Sequence, residues 1–189
     1  ITQYAMTQQV INSSLTHNGI TRNYILFIPG SYDPATPAPL VFSFHGYSSN
    51  AALNMNYTGF TAISDTAGFI LVHPDGTLDA TGTPHWNVGG WTVGSTTDDI
   101  GFTDQMITEI SNDYNINSDR IYSTGMSNGG YMSFLLACQL SDKIAAIASV
   151  TGSMTPQTYS ACNPSHPPPV LQIHGTMDGT VPYEGDPTW

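Results

Sequence analysis

Short apolar runs dominate the hydrophobic pattern of this chain. They cover residues 40–44, 69–73, 121–124, 144–150 and 170–174, and Gly or Pro follows within two residues of each run. Runs of this length that are apolar on both faces are typical of strands in a parallel sheet, because helices cover both sides of such a sheet. The pattern therefore predicts five buried strands.

Two earlier segments, residues 8–15 and 19–29, have the composition of strands joined by a tight turn. The turn contains Asn18-Gly19, a dipeptide that readily adopts the left-handed backbone of a two-residue hairpin. We therefore predict an antiparallel hairpin at the N-terminus.

Helical spacing of apolar residues lies between the predicted strands, at residues 100–114 and again at residues 128–140. Asp98 and Asp99 are candidate caps for the first of these helices. Strands that alternate with helices predict an α/β fold with a mostly parallel sheet and an antiparallel N-terminal hairpin. Functional sites in such folds lie at the carboxyl ends of the strands.

The size of the chain fits one domain over residues 1–189. At 20.3 kDa, folding would bury about 70 % of the surface of the extended chain, which is enough for one core. Because 14 acidic residues face only 3 Lys and Arg, the net charge is −11. This charge disfavours nucleic acid and anionic lipid, so we expect neither nucleic acid nor membrane as a partner. Zinc-type Cys and His spacing and phosphate loops are absent, so we expect no metal and no cofactor.

The two cysteines, Cys138 and Cys162, carry a prediction about disulfide bonding. Cys138 falls late in the second predicted helix and Cys162 just before the last predicted strand, and we expect a disulfide between them. Two buried free thiols are the alternative. Few charges, many Ser, Thr, Asn and Gly, and a start at Ile1 favour a secreted protein, extracellular or periplasmic, although a trimmed N-terminus would look the same.

The segment Gly125-Met126-Ser127-Asn128-Gly129 matches G-x-S-x-G between a predicted strand and a predicted helix. A nucleophilic serine needs such a sharp turn, which lifts its Oγ above the sheet, and the glycines let strand and helix approach. The helix N-terminus favours the negative charge that develops during attack. A Gly-rich turn that happens to carry a serine is the alternative interpretation.

An acyl-transfer serine also needs two N–H donors for the oxyanion. The first expected donor is Asn128, directly after the nucleophile. The second should lie in the segment after the strand at residues 40–44, and Tyr47 is the candidate because Gly46 lets the backbone turn inward.

The acid of the predicted triad is Asp178, just past the end of the strand at residues 170–174. A simple Asp178-Gly179 turn is the alternative, and Glu184 and Asp186 are weaker candidates. The general base is missing, because a histidine should follow the acid along the chain and none does. All six precede Asp178: His17, His45, His73, His85, His166 and His174.

Trp86 and Trp91 lie in a Gly-rich segment after a predicted strand end, near the expected site. They are candidates for a substrate-binding platform under an acyl chain or an aromatic acid. The alternative is that two large side chains simply pack a long loop.

Three segments, FSFHGYSSNA, residues 96–152 and LQIHGTMDGTVPY, resemble the polyhydroxybutyrate depolymerase-like esterases of the α/β-hydrolase fold. Secreted feruloyl and acetylxylan esterases share this pattern. The resemblance implies Ser127 as nucleophile, Asp178 as acid, and Tyr47 and Asn128 as oxyanion donors. Members of the family usually carry the catalytic histidine in a further C-terminal segment, so the C-terminal part of the fold is expected to be missing here.

The expected function is therefore a serine carboxylesterase that uses a Ser-His-Asp triad and an acyl-enzyme on a polyhydroxybutyrate-type polyester or oligoester. A feruloyl or acetylxylan esterase acting on plant polysaccharide is the first alternative. A non-catalytic binding module that has lost its base is the second. We expect the missing segment as a second polypeptide, as further residues or as a swapped partner, because the strand at residues 170–174 would otherwise leave its outer edge unpaired.

Overall fold

In a computed structural model, which describes residues 7–92 and 94–186, nine strands form two sheets. They are β1 (Gln9–His17), β2 (Ile20–Ile28), β3 (Ala38–Phe44), β4 (Ile70–Pro74), β5 (Thr77–Leu78), β6 (Pro84–His85), β7 (Ile116–Met126), β8 (Ile144–Val150) and β9 (Val170–Ile173). The main sheet has the order β1-β2-β4-β3-β7-β8-β9, and β5 pairs with β6 in a small ribbon. The mostly parallel sheet predicted from the sequence is confirmed.

The N-terminal hairpin is present, and its strands are antiparallel with His17 opposite Ile20. Asn18 and Gly19 both have positive φ, 50° and 79°, which is the backbone that a two-residue turn between twisted strands requires. The second strand of the hairpin also runs antiparallel to β4. From β4 onward the pairs β3–β4, β3–β7, β7–β8 and β8–β9 are all parallel.

Two of the helices follow the predicted pattern. They are α3 (Asp99–Asp113) and α4 (Asn128–Gln139). Asp98 is the N-cap of α3, and its Oδ1 accepts a hydrogen bond from the Gly101 N–H at 2.8 Å. Helix α4 is the best-covered helix, because it packs against both β7 and β8 and carries Met132 and Leu136 into the core.

The sequence pattern did not single out α1 (Ala51–Thr58), α2 (Phe60–Ala67) or α5 (Pro156–Ala161). The first two are eight residues each and meet at Gly59, whose φ of 62° ends one helix and starts the other. Helices this short carry too few apolar positions for a clear period, so capping residues and packing on the sheet define them.

Strand β9 closes the described sheet on one side and pairs only with β8 within residues 7–186. All four of its residues are exposed, including Val170, Leu171 and Ile173, so the prediction that this strand is buried is wrong within the described residues. An apolar groove lies beside it on the face that carries α2, lined in part by Phe60, Tyr122 and Leu171.

The predicted disulfide between Cys138 and Cys162 is present. It joins the end of α4 to the residue that caps α5, across a separation of 24 residues. Within the described residues, no helix combines the length and apolar character needed to cross a bilayer.

Candidate active site

Ser127 lies at the sharp turn between β7 and α4, as the G-x-S-x-G pattern predicts. Its backbone has φ 53° and ψ −120°, a conformation that non-glycine residues rarely adopt and that only strong surrounding contacts maintain. The Ser127 N–H donates to Val150 O at 2.8 Å, and its carbonyl accepts from Tyr131 N at 3.0 Å. The turn is thus held from both the sheet and the helix.

The motif glycines are required because backbones meet at this turn. A Cβ on Gly125 would overlap the backbone of Gly129, and a Cβ on Gly129 would overlap the carbonyl group of Phe44. Helix α4 can therefore begin directly against the ends of β3 and β7. This contact places the first turn of the helix, with its free N–H groups, beside the serine.

Asn128 is fully buried and holds the neighbouring segment through its side chain. Its Oδ1 accepts from the Trp86 N–H at 2.7 Å, and its Nδ2 donates to the Trp86 carbonyl at 3.0 Å. The Asn128 amide therefore satisfies both the backbone N–H and the backbone C=O of Trp86. The main chain that should supply an oxyanion donor is therefore immobilised by its own side chain.

The segment after β3 lies against the serine turn. A Cβ built on Gly46 would come within 3.8 Å of Ser127 Cβ, so Tyr47 follows directly beside the candidate nucleophile. On the far side of Tyr47, Ser48 N donates to Pro84 O at 2.9 Å and Ser49 N donates to Gly46 O at 3.2 Å. These bonds fix the loop that would present the second oxyanion donor.

Asp178 lies beyond β9, two strands from β7 at the same carboxyl edge of the sheet. Its Oδ1 accepts from Val181 N at 3.0 Å and Thr180 N at 2.8 Å, and these hydrogen bonds lower the pKa of the carboxyl. Burial, aided by the charge of Asp178, raises the pKa of Tyr131 to about 12. Asp178 and Ser127 therefore follow strands that end at the same edge of the sheet.

None of the six histidines hydrogen-bonds Ser127 within the described part of the chain. His174 is held within its own loop, since Nε2 donates to Val181 O at 2.8 Å and Nδ1 accepts from the Gln172 amide at 3.0 Å. Its Nε2 is 3.7 Å from Asp178 Oδ2. His45 accepts from Gly76 N and donates to Gly46 O, and burial lowers the pKa of its imidazole.

The structure corrects the expectation that Trp86 belongs to a substrate platform. Trp86 is 0 % exposed, packs edge-to-face against Phe44 at 5.0 Å between ring centroids, and donates from Nε1 to His45 O. Its ring is therefore part of the core, and its indole N–H is satisfied there. Trp91 differs, because 40 % of it is exposed and its ring contacts both Tyr47 and Tyr131.

A buried ion pair lies behind Trp86 and was not expected from the sequence. Arg22 Nη2 is 2.6 Å from Asp99 Oδ1, with side chains only 3 % and 0 % exposed. Burial lowers the pKa of Arg22 and raises that of Asp99, so each charge depends on the other. Asp99 also accepts from Asn87 N at 2.7 Å, which anchors the segment next to Trp86. The sequence suggested only a helix cap at this position.

Two cavities flank the Trp91–Tyr131 contact. The first has a volume of about 320 Å³ and is lined by Tyr47, Asp79, Thr81 and Trp91 among others. The second, of about 470 Å³, is more apolar and is lined by Tyr131, Met154, Pro156 and Val181 among others. No group of three or more His, Cys, Asp or Glu residues that could hold a metal occurs among residues 7–92 and 94–186.

The strand order defines an α/β-hydrolase fold, with the serine turn between β7 and α4 and Asp178 after β9. Residues 23–186 match the family model described as phospholipase/carboxylesterase, and the chain belongs to this family.

The chain is also similar to three named proteins. It is 33 % identical to feruloyl esterase B of Piromyces equi over 168 residues, which are 87 % of this chain and 30 % of that protein. It is 29 % identical to the bifunctional acetylxylan esterase/xylanase XynS20E of Neocallimastix patriciarum, over 93 % of this chain and 24 % of that protein. Acetyl xylan esterase from Aspergillus awamori shares the fold with a TM-score of 0.74 at 16 % identity, covering 95 % of this chain and 76 % of that one.

The chain spans between 24 % and 58 % of the length of the curated relatives it matches. The family supports a carboxylic ester hydrolase. Polyhydroxybutyrate-type specificity, which the sequence favoured, has no counterpart among the named relatives above.

Proposed function

We propose that the protein is a secreted serine carboxylesterase that cleaves acyl esters of plant polysaccharide, feruloyl or acetyl esters in particular. The observation that carries this proposal is the strained turn of Ser127, held at φ 53° between a strand and the N-terminus of α4. The named feruloyl and acetylxylan esterases support the substrate class. The Cys138–Cys162 disulfide supports an oxidising compartment, outside the cytoplasm.

In this proposal Ser127 Oγ attacks the ester carbonyl, and the N–H groups of Asn128 and Tyr47 hold the oxyanion. A histidine that is not among residues 7–186 takes the proton, and Asp178 orients it. The carbonyl then re-forms, the alcohol leaves with that proton, and water releases the acid from the acyl-enzyme. The support for an external histidine is that none of the six histidines is hydrogen-bonded to Ser127, and five of them are bonded to other groups.

The experiment compares the full-length protein with Ser127→Ala on methyl ferulate, acetylated xylo-oligosaccharide and a 3-hydroxybutyrate oligomer. We expect kcat to fall by on the order of 10⁴- to 10⁶-fold, because the nucleophile is lost. Ser118→Ala, an exposed serine on the same strand, should keep wild-type turnover.

Each substrate tests a separate interpretation. Preference for the feruloyl or acetyl substrate supports the proposal, whereas preference for the hydroxybutyrate oligomer supports the polyester esterase, for which the second, apolar cavity leaves room. If wild type and Ser127→Ala are equally inactive on all three, the non-catalytic binding module is the better description. Near wild-type turnover of Ser127→Ala would refute the nucleophile.

A further inference from the structure

The cavity beside Tyr47 has a chemistry that differs from that of an acyl pocket. Besides two aromatic rings, its lining includes five hydroxyl side chains and one carboxylate, together with Leu78, Ala80, His85 and Gly94. The hydroxyl and carboxylate residues are Asp79, Thr81, Thr92, Ser95, Thr96 and Thr97. No Lys or Arg lines it. Its volume of about 320 Å³ is at the small end of the range for sites that hold small molecules, roughly 300–1,000 Å³.

Asp79 is fixed in place and ionised. Its Oδ1 accepts three hydrogen bonds from its own loop, from Thr81 N, Thr81 Oγ1 and Thr83 N, at 2.7–3.0 Å. Its Oδ2 accepts from the Tyr47 hydroxyl at 2.6 Å. The hydrogen bond from Thr81 and then that from Tyr47 lower the pKa of the Asp79 carboxyl well below its usual range. Oδ1 accepts all three hydrogen bonds from the loop, whereas Oδ2 accepts only the one from Tyr47. Oδ2 can therefore accept a further hydrogen bond from a ligand.

Tyr47 and Trp91 supply an aromatic wall. Their rings meet edge-to-face with centroids 5.5 Å apart, and the residues are 41 % and 40 % exposed. The edge-to-face contact holds each ring in place. The electron-rich faces of the rings attract the C–H groups of a sugar ring. A carboxylate accepts strong hydrogen bonds from hydroxyl groups. Aromatic faces together with fixed acceptors suit a polyol ligand.

We propose that this cavity is the subsite for the alcohol part of the ester, and that it binds a neutral sugar residue of the polysaccharide. The role as an alcohol subsite rests on the proposed function. Tyr47 links the two, because Gly46, the residue before it, lies beside Ser127 while the Tyr47 hydroxyl is bonded to Asp79. A uronic acid is disfavoured, since a second carboxylate would face Asp79 in a protein of net charge −11.

The test is an NMR titration of ¹⁵N-labelled Ser127→Ala protein with an unesterified, neutral arabinoxylo-oligosaccharide. We expect shifts at the Trp91 indole N–H and the amides of residues 79–83, with a Kd on the order of 1 mM. Asp79→Asn should weaken binding about fivefold and Trp91→Ala about tenfold. Asp33→Asn is the matched control, because Asp33 likewise accepts from its own loop at Ala35 N and Thr36 Oγ1 but lies outside the cavity.

Each other outcome overturns the subsite. Shifts confined to the cavity lined by Met154 and Pro156, no shifts, equal weakening by Asp79→Asn and Asp33→Asn, or equally tight binding of a glucuronate-bearing oligosaccharide would all do so. Failure of the proposed function is distinguishable. Sugar binding without hydrolysis of any ester by the full-length wild type would contradict the esterase alone, whereas hydrolysis of methyl ferulate without sugar binding would contradict the subsite alone.

Discussion

At the scale of single residues, Asn128 combines two tasks that are usually separate. Its main-chain N–H is the proposed oxyanion donor, and its side-chain amide satisfies both backbone polar groups of the buried Trp86. Since Trp86 in turn donates to the carbonyl of His45, just before the Gly46-Tyr47 turn, the two candidate oxyanion donors are connected through one ring. A change at Asn128 should therefore alter stability as well as chemistry.

We predict that Asn128→Ala lowers the free energy of unfolding by about 2–5 kcal/mol, because it leaves the Trp86 N–H and C=O buried without partners. Asn128→Asp should fall between wild type and Asn128→Ala, since a carboxylate can accept from Trp86 N but cannot donate to Trp86 O. Urea unfolding measures both. Asn163→Ala, an exposed amide, should change stability by less than about 0.5 kcal/mol, and an equal loss in all three variants would contradict the explanation.

The sharp turn at Ser127 was predictable from the sequence, but the positions of the surrounding side chains were not. The G-x-S-x-G spacing predicts the Ser127 turn because the requirement is local. Trp86 and Trp91 look alike in sequence, and only their tertiary contacts show that one is buried against Phe44 and the other is exposed. Asp79 gave no catalytic pattern, although its spacing to Thr81 and Gly82 is that of a carboxylate-stabilised turn.

At the scale of elements, the disulfide compensates for a sparse connection. Between β8 and β9 the chain contains only the six-residue α5, and the bridge ties the end of this helix to α4. Helix α4 therefore restrains the segment that leads to β9, the strand before Asp178.

We predict that Cys138→Ser/Cys162→Ser lowers the free energy of unfolding by about 3.5 kcal/mol, the chain-entropy value for a loop of this length. Guanidinium unfolding with and without dithiothreitol measures it. Reductant should destabilise the wild type by a similar amount and leave the double variant unchanged. A wild type that is insensitive to reductant although its disulfide is demonstrably reduced would contradict this prediction.

Helices with long periodic patterns were predictable from the sequence, and the short helices were not. Helix α3 matches its prediction to within a residue or so, because its apolar face repeats over fifteen residues. Strand β7 begins at Ile116, five residues before the apolar run at 121–124, since the pairing of Ala38 with Ile116 extends it through polar residues. Pairing of this kind is a tertiary effect that no local pattern contains.

At the scale of the whole molecule, a buried histidine links the fold to pH. His73 is the penultimate residue of β4 and is fully buried, and its Nδ1 accepts from the Asn54 amide at 3.1 Å. Burial lowers the pKa of its imidazole to about 4. Because the unfolded chain takes up this proton near its ordinary pKa of about 6.5, acid favours unfolding between these two values.

We predict that the free energy of unfolding falls by up to about 3 kcal/mol from this residue as the pH drops from about 6.5 to about 4. In His73→Gln, which keeps an acceptor for Asn54, that part of the pH dependence should disappear. His166→Gln, at an exposed position, should follow the wild-type curve. Urea unfolding across this pH range measures all three, and parallel curves for wild type and His73→Gln would refute the assignment to His73.

The Trp91–Tyr131 contact has a consequence for how specificity can change. Because the two rings form a wall between the cavities, substitutions around Asp79 and substitutions around Met154 share no partners across it. Changes at such separated sites usually add in free energy. Under the proposed alcohol subsite, sugar preference in the cavity beside Tyr47 can therefore change without altering the cavity lined by Met154. A lineage or a designer could combine tolerated changes in one cavity with tolerated changes in the other.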